Sequence, residues 1–300
     1  MFKKIRTGFL LILGVMVLAA CSTQKQTTGK QLTTDQIRVV SSLDFYAEMA
    51  QQILGDQGKV VSIINSSGID PHDYTPTTAD AKTVANADVA IMNGAGYDAW
   101  LQKLVTSNDR KVSTVDIAAD VRYLPEGENE HLWYDFATMI KLNQALVKRF
   151  STLRPKERQL FEKNGRKNMR QFQQLQQQVQ QLKASFSEKQ VMITEPVFND
   201  VLSALDVKVV NPDFAQDIEE GADPKPAELQ TMLSQLKQRK VAFLVVNRQV
   251  ESPLIDELIQ TAKKAGVPIV TVTETMPPHR TYLTWMTEQL AQLTKIAKGA

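Results

Sequence analysis

This chain of 300 residues has one cysteine and three histidines. A single cysteine cannot close an internal disulfide, so no covalent staple holds the fold. Three histidines leave no reservoir of spare imidazoles, and none of them belongs to a His-Glu-x-x-His helix, the commonest signature of a zinc hydrolase. Excess charge of either sign is lacking: the formal net value is +2, with an ordinary 23% of charged residues. No basic stripe interleaved with aromatics is present, so nucleic acid is not an expected partner. What the chain does have is a hydrophobic content of 43%, ordinary for a globular protein, and enough length for two domains with real cores.

The single cysteine stands in an informative place. Lys3, Lys4 and Arg6 make a positive N-terminal region, and residues 9–18 an apolar run too short to span a membrane easily. The run ends Leu18-Ala19-Ala20-Cys21. This pattern resembles a bacterial lipoprotein signal, in which the cysteine is lipidated and becomes the new N-terminus; a plain secretory signal with an incidental cysteine is the alternative. Residues 22–35, rich in Ser, Thr, Gln and Lys, then read as a flexible tether. The expectation is an extracytoplasmic protein anchored to the cell membrane through Cys21.

From Ile37 onward strands and helices alternate. Residues 37–42, 60–64, 88–92 and 111–115 read as strands by their β-branched content, with helices over 45–54, 78–86 and the face of Trp100, Leu101 and Leu104 between them. Such alternation predicts a parallel sheet with right-handed crossovers. Residues 155–186 differ, because Phe172, Leu175, Val179, Leu182 and Phe186 make a narrow apolar stripe among glutamines and lysines. One helix long enough to run from one lobe to another fits that stripe. The grammar then resumes, with strands at 190–194, 207–210, 241–246 and 268–273. Helices are expected from Asp223-Pro224 through Leu236, from Ser252-Pro253 to Gly266, and from Tyr282 to Ala297.

Four residues with metal-ligand chemistry fall in loops after strands. His72 lies in Gly68-Ile69-Asp70-Pro71-His72-Asp73-Tyr74-Thr75-Pro76, where Pro71 stiffens the backbone that presents it. His131 precedes Trp133 and Asp135, and Glu195 and Glu274 follow the strands at 190–194 and 268–273. Each has an ordinary alternative: a turn histidine, a histidine packed on Trp133 and Tyr134, or a carboxylate at a helix N-terminus. Together, two neutral imidazoles and two carboxylates neutralise a divalent cation and suit zinc, manganese or ferrous iron.

Over residues 36–298 the chain resembles the solute-binding lipoproteins of bacterial manganese, zinc and iron ABC transporters. The resemblance rests on the Asp70–Pro76 motif, on His131 with Trp133 and Asp135, on Glu195, and on Asn93-Gly94 followed by Trp100. It implies an α/β fold of two lobes, each with a parallel four-stranded sheet flanked by helices, joined by one long rigid helix. The divisions are then a signal peptide at 1–21, a tether at 22–35, an N-terminal lobe at 36–151, the linking helix at 152–187 and a C-terminal lobe at 188–300. It also implies His72, His131, Glu195 and Glu274 as ligands of Mn2+ or Zn2+, with Fe2+ a third choice. The ion would sit in the cleft between lobes of a monomer that delivers it to a membrane permease. The chain departs from the family at Glu274, where Asp is usual, and His279 is the substitute ligand. It also lacks the His-rich loop of many zinc-uptake members, which leans toward manganese without excluding zinc. A surface metal-dependent hydrolase or an adhesin is the competing reading.

Overall fold

The computed structural model describes residues 36–299 apart from Asp70, Asp73 and Glu126. The signal peptide, Cys21 and the tether lie outside the described residues, as do two acids of the His72 motif. Among the described residues, no helix is long and apolar enough to cross a membrane.

Eight strands form two parallel four-stranded sheets. In the first, β1 (Ile37–Leu43) lies between β2 (Gly58–Ile64) and β3 (Val89–Met92), and β4 (Ser113–Asp116) extends the β3 side. The helices α1 (Asp44–Leu54), α2 (Thr78–Asn86) and α3 (Ala99–Thr106) make the crossovers. Thr77 and Asp80 cap α2 reciprocally, each satisfying a backbone N–H that the helix leaves open. Gly58 admits the close approach of α1, since a Cβ there would lie 2.5 Å from Leu54 Cδ1 and 2.9 Å from the Ile37 carbonyl oxygen.

The second sheet repeats the order. Its strands are β5 (Gln190–Ile193), β6 (Lys208–Val209), β7 (Leu244–Asn247) and β8 (Ile269–Val272), arranged β6-β5-β7-β8. Between the sheets in sequence run α4 (Phe136–Leu153) and the 29-residue α5 (Arg158–Phe186), which follows a 3₁₀ turn over Pro155–Glu157. At 1.5 Å per residue α5 is about 43 Å long. The expected stripe is buried, with Phe161 added to it, and α5 packs on α1, α4 and α10 (Tyr282–Ala297).

One apolar core is continuous through both sheets, from Val39 and Ile91 to Ile193, Val245 and Val272. A smaller one lies on the other face of the second sheet, where Met192, Leu244 and Val246 meet α8 (Pro226–Lys237) and α9 (Pro253–Ala265). Neighbouring residues of β7 thus face different cores, as burial on both faces of a parallel sheet requires.

Three local expectations need correction. The helix expected from Asp223-Pro224 starts at Pro226, with Lys225 as its N-cap. A residue before proline is pushed out of the helical region, and Lys225, at φ −62° and ψ 130°, is extended for that reason. The strand expected at 241–246 begins later and ends on Asn247. A further helix, α7 (Pro212–Glu219), had no counterpart in the sequence reading; a short α6 (Asn199–Ala204) precedes it.

Candidate metal-binding site

In open parallel sheets, ligands collect at the carboxyl ends of the strands where strand order reverses. Both sheets reverse between their first and third strands. In the first sheet Asn93, just past β3, accepts from the Tyr46 hydroxyl of α1 at 2.7 Å. In the second, Asn247 at the end of β7 donates through Nδ2 to Glu195 Oε2, just past β5, at 2.6 Å. The side chains of interest gather around these two crevices.

His131 is the most enclosed of them, with 1% of its surface exposed. Its ring lies 5.2 Å from Trp133 and 6.4 Å from Tyr97, edge-on to both. Asn129 fixes its tautomer. The amide donates through Nδ2 to the Pro196 carbonyl at 2.9 Å, and its Oδ1 accepts from the His131 backbone N–H at 3.0 Å. That same oxygen is 3.2 Å from His131 Nδ1, so Nδ1 carries the proton and Nε2 keeps its lone pair. Nε2 is buried with no hydrogen-bond partner among the described residues. Burial, with a smaller effect of His72, pushes the imidazole down to about 3. It is therefore neutral, the state that binds metal.

His72 is more open, with its side chain 36% exposed. Its ring stands edge-on to Tyr97 at 4.8 Å. The loop behind it is held by Trp100, whose Nε1 donates to the Pro71 carbonyl at 3.3 Å and whose ring meets Tyr74 at 4.8 Å. This explains why the proline-histidine motif is accompanied by Tyr74 and Trp100.

Carboxylates approach from the second half. Glu274 Oε1 lies 3.6 Å from His72 Nε2 and accepts from the Tyr97 hydroxyl at 2.7 Å. Gln249 steers its backbone: Gln249 Oε1 accepts from the N–H of Glu274 at 2.6 Å and of Thr275 at 3.0 Å. Gln249 Nε2 donates to the Ser67 carbonyl at 2.8 Å, tying that loop to the His72 side. Glu195, 6% exposed, lines the same cavity of about 370 Å³ as His72, Glu219, Asn247, Gln249 and Glu274. A larger hollow of about 420 Å³ lies between α4 and α5, but no imidazole lines it.

Two acids here were not anticipated. Glu219, the last residue of α7, places Oε1 3.5 Å from His131 Nε2 and 3.6 Å from His72 Nε2. Glu130 places Oε1 3.7 Å from His72 Nε2, and burial raises its carboxyl above the usual range. Potential ligand atoms of His72, Glu130 and Glu219 all lie within 4.8 Å of one another. Asn211-Pro212 is a helix-start signal that could have revealed α7. Nothing local marks Glu219 over its neighbour Glu220. His279 sits exposed in a turn at φ 61° and is not among the residues lining the cavity.

These separations have a chemical meaning. At 3.5–3.7 Å they exceed ordinary hydrogen bonds. Two atoms each about 2.0–2.2 Å from one tetrahedral ion lie roughly 3.3–3.6 Å apart. Each of these pairs is spaced much as two ligands of one divalent ion are, and among the described residues His72, Glu130 and Glu219 come within mutual reach while His131, Glu195 and Glu274 stand outside that set. Nitrogen with oxygen donors suits a borderline transition metal.

Fold and site together define an α/β binding protein, with a histidine and carboxylate pocket at the strand ends of two parallel sheets. Residues 39–296 match the family model described as zinc-uptake complex component A, periplasmic, and the chain belongs to that family. It is 29% identical over 284 residues to the metal ABC transporter substrate-binding lipoprotein ScbA of Streptococcus cristatus, covering 89% of this chain and 88% of the relative. It is also 29% identical over 269 residues to the manganese ABC transporter substrate-binding lipoprotein PsaA of Streptococcus mitis, covering 83% of each. Its fold is similar to that of FpvC from Pseudomonas aeruginosa in complex with Ni2+, with a TM-score of 0.71, 20% identity, and coverage of 88% and 97% of the two chains.

Proposed function

We propose that this chain is the extracytoplasmic solute-binding component of a metal ABC transporter. It captures a divalent transition ion, Mn2+ or Zn2+ with Fe2+ as a third candidate, and delivers it to a membrane permease. The ion is cargo, and the protein is a binding protein rather than an enzyme. It acts as a monomer anchored by a lipid on Cys21.

The ligands are His72, His131, Glu195 and Glu274. The observation that carries this reading is the His131 lone pair: buried, oriented by Asn129, and aimed at a carboxylate that also faces His72. A buried polar atom without a partner costs stability, and a bound ion would satisfy it. Tyr97 and Asn247 hold the carboxylates of Glu274 and Glu195 as second-layer partners. Because α5 restricts hinge opening between the lobes, release proceeds through movement of the C-terminal ligand loops. Neither a hydrolase nor an adhesin has an observation in its favour.

Titration of the purified protein with Zn2+ and Mn2+, beside His72→Ala and His131→Ala, tests the reading. Saturable one-to-one binding, weakened at least a hundredfold in either variant, is expected. Wild-type affinity in either variant would refute it.

A further inference from the structure

Glu219 sits where its helix does least for it. A carboxylate at a helix C-terminus faces the negative end of the macrodipole, the unfavourable end for its charge. Yet Glu219 closes α7, and its side chain is only 9% exposed. Phe214 and Ala215, both 1% exposed, pin α7 to the body of the protein, and the helix packs on the turn Pro196–Phe198 that follows Glu195. The position of Glu219 is thus set by the packing of α7. That packing delivers one oxygen to both imidazoles: Oε1 is 3.5 Å from His131 Nε2 and 3.6 Å from His72 Nε2.

Resting on the metal-binding reading above, we infer that Glu219 is a direct ligand of the transported ion. It adds to the four residues for which the sequence makes a case. The geometry of its carboxylate supports it. One oxygen stands within a tetrahedral edge of two imidazole nitrogens, of which His131 Nε2 is buried and has no hydrogen-bond partner among the described residues. A third edge, from His72 Nε2 to Glu274 Oε1, has the same length of 3.6 Å. A site with Glu195, Glu219 and Glu274 offers three carboxylates to a divalent ion, an oxygen-rich set accommodating harder metals such as Mn2+.

Glu219→Gln keeps the shape of the side chain and removes its charge. It is titrated with Zn2+ and Mn2+ beside wild type and His131→Ala, with thermal melting of each metal-free protein as a check on folding. If Glu219 binds the ion, His131→Ala loses binding and Glu219→Gln weakens both metals at least tenfold. If His131→Ala loses binding while Glu219→Gln stays within twofold of wild type, Glu219 is no ligand and the broader reading stands. Wild-type affinity in His131→Ala would overturn the metal-binding reading itself, and Glu219 with it. Anomalous difference maps of Zn2+-loaded wild-type crystals decide the point without any substitution. The inference places the ion about 2.0–2.2 Å from Glu219 Oε1, and an ion beyond hydrogen-bonding distance of that oxygen overturns it.

Discussion

The two sheets share one strand order and hold their candidate ligands by different means. In the first half the two histidine donors are rings held by aromatic contacts, with His131 enclosed and His72 more open. His131 lies among Trp133 and Tyr97, oriented by one amide, and His72 leans on Tyr97. In the second half the donors are carboxylates, and hydrogen bonds from the single segment 247–249 tie two of them, Glu195 and Glu274. Asn247 holds Glu195, and Gln249 holds the backbone of Glu274 and Thr275. Shifting the His131 ring means unpacking a core. Shifting Glu195 or Glu274 means exchanging a few hydrogen bonds, each worth only about 0.5–1.5 kcal/mol net. The contrast makes the first half the preorganised side and the second the adjustable one, with Gln249 joining them through the Ser67 carbonyl.

The largest effect that sharpens this comparison belongs to Glu274. Glu274→Ala should weaken metal binding at least tenfold, about 1.4 kcal/mol, while His279→Ala, in an exposed turn, leaves it unchanged. A calorimetric titration giving the opposite ranking would move the fourth position to His279. Gln249→Ala comes next. It deprives two backbone amides of their acceptor and cuts the tie to Ser67, so metal affinity should drop several-fold through faster dissociation. Stopped-flow release into a chelator reads this, and an unaltered off-rate would show that the segment 247–249 does not govern the adjustable side.

A smaller effect concerns pH and the metal-free protein. His131 is held down to about 3 when folded, against an ordinary imidazole value near ~6.5. Between those values the unfolded chain binds the extra proton, so this residue's contribution to stability is present above ~6.5 and is lost as pH falls toward 3. Asp44 works the other way. Burial lifts its carboxyl to about 6, so its contribution is present below the usual carboxylate value and is lost as pH rises through about 6. Denaturant unfolding of wild type and His131→Gln at several pH values separates the two. The variant should lose less stability on acidification between pH 6.5 and 4.5, and parallel curves would mean that His131 is not buried as a neutral ring. The smallest effect is Asp223→Ala, expected within about 0.5 kcal/mol of wild type in the same assay, because Lys225 and not Asp223 caps α8. A loss of the size typical for an N-cap, about 1 kcal/mol, would restore the earlier helix start.

The sequence made much of this legible because strand–helix alternation and post-strand loops are local signals. The stripe from Phe172 to Phe186 revealed α5, and Thr78, Ser252 and Tyr282 marked helix starts within a residue of those observed. His72 and His131 stood out because histidine is scarce here. Other features depend on what the fold brings together. Tyr97 reaches Glu274 across 177 positions, and Gln249 reaches Ser67 across 182. No periodicity encodes such pairs. Glu219 was hidden for a related reason. It lies at the end of an eight-residue helix among other acids, and only the packing of α7 separates it from Glu220.

In the proposed site one ion is held by two rings from the first half together with carboxylates. X-ray absorption at the metal edge of the Zn2+-loaded protein tests it most directly, because imidazole rings give multiple scattering that carboxylates do not. Two imidazoles on the ion are expected, with the remaining donors oxygen at about 2.0–2.2 Å. A spectrum with no imidazole, or with one, would contradict it.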